Sequence, residues 1–236
     1  STATGYYSTA AFDSTATGNN STALFDSTAN GSGAQAFYSS TATGSGSYAY
    51  SASSAVGNNS FALYSSNAVG YSSTAALGSN AIGNYSTAVF GSNAVGNYSS
   101  ATGTYSVAMG NGSTADSAYS TAVGAYSSAT NTSATALGAY SVASGVNSTA
   151  SGANAQATFD GATATGANSL AGNTNTTANG VGAQATGTSS TAVGAGAVAS
   201  SNNSVAIGAG SSTGARDNTV SVGAVGAERQ ITNVAA

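Results

Sequence analysis

Six carboxylates (Asp13, Asp26, Asp116, Asp160, Asp217 and Glu228) and two guanidinium groups (Arg216 and Arg229) are the charged side chains of this 236-residue chain. Lysine, histidine and cysteine are absent. General acid–base and nucleophilic catalysis draw on paired carboxylates, imidazole or thiolate, and zinc takes mainly His and Cys ligands. The carboxylates here are scattered singly. They do not recur once per repeat, as a calcium-binding repeat would require. No catalytic site, metal or cofactor is therefore expected. A net charge of −4 without a basic cluster does not fit nucleic acid, which needs a basic footprint. What remains is non-covalent chemistry by hydroxyls, amides, phenols and small apolar groups.

The tyrosines have a pattern. Tyr7, Tyr85, Tyr98, Tyr126 and Tyr140 each stand two residues after a glycine of a common series. A row of phenols among Ser and Asn offers area and hydrogen bonding without charge, so these five form a candidate adhesive surface. Phe12, Phe25, Tyr38, Tyr64 and Phe90 form a second series, expected to stack as internal or intersubunit filler. Asn67, Asn80 and Asn93 share one register and are placed to form an amide ladder.

These residues are positioned by a repeat. The unit S-T-A-x-G puts glycine at 5, 18, 31, 44, 57, 70, 83 and 96, in steps of 13. Glycine continues at 110, 124, 138, 152, 166, 180, 194 and 208 in steps of 14, and Gly223 follows after 15. Alanine marks a second, weaker copy within each unit, so each unit holds two short segments and two bends. Alternation in T-A-V-G reads as a strand with Ala on one face and its neighbours on the other. Gly, Asn and Ser between the segments supply the bends.

The expected fold is all-β: a parallel β-solenoid of 13–15-residue coils, two strands of about five residues per coil. Seventeen coils spaced at about 4.8 Å would extend roughly 80 Å. Coil length divides the chain into 1–96, with 13-residue coils and aromatics, 97–215, with 14-residue coils, and a distinct terminus, 216–236. No apolar run reaches the roughly 18 residues of a membrane helix. The chain begins inside a repeat without a signal-peptide pattern, so an export signal or anchor is expected outside it.

An interior of Ala alone is thin. A buried methyl contributes about 0.8 kcal/mol, against about 1–2 kcal/mol to fix one residue's backbone, so association with further chains is expected. The outward residues after the marker Ala form an apolar column: Val56, Val69, Ile82, Val95, Met109, Val123, Leu137, Val193, Ile207 and Val222. The column has a polar gap at Ser151, Thr165 and Asn179. A stripe of that length is a candidate interface. The equivalent column on the other strand turns polar after Val89.

Units such as NSVAIGAGS at 203–211 and STAVGAGAVAS at 190–200 resemble the head repeats of YadA-type trimeric autotransporter adhesins. The closing NTVSVGAVGAERQITNVAA resembles the neck of that family, where head passes into coiled-coil stalk. The resemblance implies a left-handed parallel β-roll assembled as a parallel homotrimer on the surface of a Gram-negative bacterium, anchored in the outer membrane by a region outside these residues. It also implies adhesion to matrix proteins, cells or abiotic surfaces, and self-association. At the neck, Arg216, Asp217, Glu228 and Arg229 are then expected to bridge subunits, with Ile231 and Val234 as buried contacts. The 13-residue coils depart from the family's 14-residue unit. Two other readings remain open: an ice-binding Thr array, suggested by T-A-T at 2–4, 15–17, 41–43 and 163–165, and an inert spacer of a surface fibre.

Overall fold

The computed structural model describes residues 1–234. Outward Thr and Val favour extended backbone by their branched Cβ, and the Gly-containing bends end each strand. The strands are only two or three residues long, shorter than the five expected. The bends claim the remainder, although the flanking Gly and Ser still bond between coils, as Gly18 N–H does to the Thr4 carbonyl at 2.8 Å and Thr15 N–H to the Ser27 carbonyl at 2.9 Å.

Two compact units are formed, Ser1–Tyr126 and Ser127–Ala236. Each is built from two parallel sheets, here A and B, visited alternately. In the first unit sheet A runs from Thr2–Thr4 to Thr121–Val123, and sheet B from Thr9–Ala11 to Thr114–Ala115. In the second, sheet A runs from Thr135–Leu137 to Val205–Ile207 and ends with Val220–Ser221, and sheet B runs from Ser128–Ala129 to Val198–Ala199. Each strand pairs in parallel with its counterpart one coil on, Ala over Ala: Ala16 with Ala29 in sheet A, Ala23 with Ala36 in sheet B. The step changes from 13 to 14 where Asn93 pairs with Val107, and reaches 15 where Val205 pairs with Val220.

Two residues per strand point inward. One is the marker Ala, and the other is the residue just before the strand, in most coils Ser. Among the described residues no fully buried side chain is larger than Thr, found at Thr176 and Thr213. The interior is therefore not only methyl groups: a second inner column carries hydroxyls. Every buried side-chain polar atom among the described residues has a partner, which avoids the penalty of an orphaned group.

Those hydroxyls work differently at the two corners. At the A-to-B corner three residues follow the strand, the first a Gly, and the Ser hydroxyl donates back to that Gly carbonyl, as Ser60 does to Gly57 at 2.8 Å. At the B-to-A corner of the 13-residue coils only two residues turn the chain, both left-handed, such as Phe12 (φ 56°) and Asp13 (φ 57°). Here the Ser hydroxyl accepts the backbone N–H of the Ser one coil on. Ser27 N–H bonds Ser14 Oγ at 3.1 Å, and Ser79 N–H bonds Ser66 Oγ at 3.1 Å, in a ladder that continues to Ser106. The extra residue of the 14-residue coils restores a three-residue corner, and Ser148 again donates to its own Gly145 carbonyl at 2.7 Å.

The glycine column has a steric cause. Gly44 has φ +127°, and a Cβ built on it would lie 2.6 Å from the Gly57 carbonyl. No L side chain fits that backbone or that space.

Candidate interaction surfaces

In the first unit, Val56, Val69, Ile82, Val95, Met109 and Val123 form one outward column of sheet A, each paired with the next. Each is more than a third exposed, Ile82 and Met109 to 45%. In the second unit, Leu137, Val193 and Ile207 occupy the equivalent column, interrupted at Ser151, Thr165 and Asn179. Val222 follows Ser221, which pairs with Ala206, and is half-buried. Beside this column the amide ladder is present: Asn67 donates to Asn80 at 2.8 Å and Asn80 to Asn93 at 2.9 Å. Before Val56 sheet A presents Thr instead, with Thr2, Thr15, Thr28 and Thr41 in one rank and Thr4, Thr17, Asn30 and Thr43 in the next.

The outward face of sheet B differs along the chain. From Thr102 the column after the marker Ala is polar, and Asp116 accepts the hydroxyls of Thr102 at 2.8 Å and Ser100 at 3.2 Å, while the column before that Ala carries Val142, Leu170 and Val198 between polar residues. In residues 24–63 it carries Leu24, Phe37, Tyr50 and Leu63 in one column, and Tyr48 beside Phe61 in the other. Alternation alone shows these residues outward, but their grouping on one face emerges only once coil pairing is known.

Tyr7, Tyr85, Tyr98, Tyr126 and Tyr140 all take the left-handed position of the A-to-B corner, with φ of 54–58°. Asn or Gly fills that position in most other coils, as at Asn20 and Gly33. A bulky residue there is strained, yet the tyrosines are exposed by 47–72%. Tyr85 stacks on Tyr98 with centroids 5.1 Å apart and meets Tyr71 edge-on at 5.3 Å. Lost hydration beside these rings raises the Tyr85 phenol above its ordinary value, reinforced by Tyr71 and Tyr98.

Phe12, Phe25 and Tyr38 stack as expected, at 4.6 and 4.8 Å with interplanar angles of 4° and 3°. They are not internal filler. Two successive left-handed residues turn these side chains away from the coil, leaving Phe12, Tyr38, Tyr64 and Phe90 about half exposed or more. Phe90 shares a small cleft with Leu77 and Tyr105.

The terminal segment is held to the last coils. Asp217 accepts the Asn202 N–H at 2.9 Å. Glu228 accepts the Gly226 N–H at 2.9 Å, and this backbone bond, with its own N–H, lowers its carboxyl below the usual range. Arg229 donates to Ser211 Oγ at 2.7 Å, to the Val222 carbonyl at 2.8 Å and to the Ala209 carbonyl. Its guanidinium lies over Gly208, at the end of the glycine column. Arg216, Ile231 and Val234 are exposed. A cleft of about 920 Å³ lies between Ser212, Arg216, Val220, Val222, Glu228 and Arg229.

Among the described residues no group of three or more His, Cys, Asp or Glu lies together, and no helix is long and apolar enough to cross a membrane. Stacked coils, a small-residue interior and large uncharged side chains outside define a β-solenoid that presents surfaces. A family model described as the YadA head domain repeat matches residues 12–24, 90–113, 101–127, 115–141, 129–155, 143–169, 171–197 and 185–211, more than half of the chain. The chain belongs to the YadA head repeat family, and its family and fold are those of an adhesin. Among solved structures it is similar to the collagen-binding domain of the Yersinia adhesin YadA, at 28% identity and a TM-score of 0.37, covering 74% of this chain and 76% of that one. No curated protein matches.

Proposed function

We propose that this chain is the head of a bacterial surface adhesin, a parallel homotrimer that attaches a Gram-negative cell to matrix proteins, cells or abiotic surfaces and to its own kind. The observation that carries this reading is the tyrosine column: a strained backbone position is given to an exposed, uncharged, large side chain where Asn or Gly is easier. Strain kept at a surface position argues for use of that surface. The sheet A column, Val56–Val123 and Leu137–Val222, is the interface between chains, and a thin interior gives each chain reason to bury it. At 216–236, a neck, exposed Ile231 and Val234 become buried and Arg216 pairs across subunits. Asp217, Glu228 and Arg229 reach a partner only while keeping their contacts within the chain. The terminal cleft is open for such a partner segment.

Light scattering on these residues is the test of assembly, with a mass three times 22.1 kDa expected. Attachment is tested with Tyr85, Tyr98, Tyr126 and Tyr140 all replaced by Ser. Adhesion to immobilised matrix proteins should fall while β-structure and mass persist, and unchanged adhesion refutes the tyrosine surface. The Thr ranks of the first coils support ice binding as a second reading, which measurable thermal hysteresis would favour. If deleting coils leaves attachment unchanged, the chain is a spacer.

A further inference from the structure

Residues 12–64 hold a ring network that the sheet A interface leaves unused. At the B-to-A corner the stack Phe12–Phe25–Tyr38 runs along the coils. In the next coil that corner carries Ser51 instead, and Tyr50 at the strand end fills the place. Tyr50 meets Tyr38 edge-on at 5.2 Å and Tyr64 at 5.7 Å. The network then crosses the outward face of sheet B: Phe37 lies 6.5 Å from Tyr50 and 5.8 Å from Tyr48, and Tyr48 stacks on Phe61 at 5.2 Å. None of these rings is buried.

In the same coils sheet A presents Thr28, Asn30, Thr41 and Thr43. The apolar face therefore changes sides. It is sheet B up to Leu63 and sheet A from Val56 onward. A trimer closed through sheet A, as proposed above, points this part of sheet B away from its axis.

Three observations identify the occupant. First, Thr22, Gln35 and the apolar residues of this face include no charge, and the nearby carboxylates Asp13 and Asp26 lie at the corner. A contiguous exposed apolar patch with no charge in it marks a contact surface. Second, the corner rings Phe12, Phe25 and Tyr38, parallel within 4°, turn their faces to each other, and on sheet B Tyr48 and Phe61 stack likewise with Phe37 tilted against Tyr48, leaving little flat ring surface for a sugar. Third, the rungs repeat at the coil spacing of about 4.8 Å, whereas same-face side chains of an extended peptide repeat at about 6.6–6.8 Å. A peptide falls out of step after a rung or two. A second solenoid of the same repeat stays in step, and side chains of equal period interdigitate into a dry contact.

We propose that the aromatic network on sheet B of residues 12–64 is a homotypic docking surface, on which a second copy of this head, from another trimer, packs face to face about a two-fold axis. This rests on the adhesin reading and assigns a surface to its self-association.

The test is sedimentation velocity on the whole chain over a concentration series. The variants are Phe37→Thr/Tyr48→Thr/Phe61→Thr and, separately, Gln35→Lys. Thr occupies the position of Tyr48 and Phe61 in flanking coils, at Thr22 and Thr74. Gln35 is exposed, so the lysine leaves the interior intact. The wild type should rise with concentration to at least twice the mass of its basic assembly, and beyond it in a trimer, which carries three such faces. Both variants should associate at least tenfold more weakly, and the lysine variant should recover with salt. Wild-type mass that never doubles, or doubling unaltered in both variants, overturns the proposal. A monomeric basic assembly would refute the trimer alone, because sheet B association would still appear as monomer to dimer.

Discussion

Ser60 and Ser66 are a matched pair. Both are fully buried inner-column serines of consecutive strands, six residues apart. Ser60 donates to the Gly57 carbonyl, which also receives the Ser60 N–H at 3.3 Å. Ser60→Ala therefore removes one bond and leaves that carbonyl satisfied, costing about 0.5–1 kcal/mol. Ser66 Oγ accepts the N–H of Ser79, a buried residue whose amide bonds to nothing else. Ser66→Ala orphans that amide in a space too small for water, adding about 1–3 kcal/mol. The difference should be about 1–3 kcal/mol, and nearest-neighbour coupling of coils confines it to the step between Ser66 and Ser79. Amide exchange by mass spectrometry on peptides covering 73–86 measures it: roughly tenfold faster local exchange in Ser66→Ala than in Ser60→Ala. Equal exchange in the two variants would refute the idea that hydroxyl acceptance, not hydroxyl burial, holds the 13-residue coils together.

Other perturbations follow from the same geometry. Gly44→Ala meets the Gly57 carbonyl at 2.6 Å with φ at +127° and should cost roughly 3 kcal/mol or more; Gly182→Ala, at φ +65° with open space, should cost only about 1 kcal/mol, and paired thermal melts compare them. The Glu228 carboxyl is lowered by backbone bonds, so its hold on the terminal segment is present above the ordinary carboxylate value and lost as pH falls through the lowered one. The Gly226 amide resonance should follow that acid titration and stop doing so in Glu228→Gln. The Tyr85 phenol is raised, so the neutral stack is favoured below the ordinary phenol value and lost as pH rises through the raised one. Ultraviolet titration should show the Tyr85 phenol ionising at lower pH in Tyr98→Ser than in the wild type.

The architecture was legible because Gly and Ala are fixed by sterics: no other side chain fits between stacked carbonyls or in so narrow a coil. The amide ladder was legible for the same reason, since one register decides it. The inner hydroxyl column was not, because Ser serves equally in a bend, on a surface or in a small interior, and S-T-A-x-G alone does not orient it. Aromatics at a shortened corner suggested filling inside the coil or between subunits, and a pair of left-handed residues directs them outward, which removes the first of these. What Arg229 does within its own chain was not legible either: it covers the open end of the last coil, where carbonyls have no following strand to receive them. The sheet B network depends on which rungs align, and steps of 6, 7, 13 and 14 obscure that along a linear sequence.

The restriction of the interior to Gly, Ala, Ser and an occasional Thr has an evolutionary consequence. Every coil ends in the same inner residues with which every other coil begins, so unequal recombination between repeats yields chains that still close their coils. The outward positions carry no share of that matching, and they can drift from Thr to Val, Tyr or Asn while the interior stays unaltered. A lineage can thus lengthen its solenoid by whole coils or change what its outer faces present, with little selection against either at the level of folding.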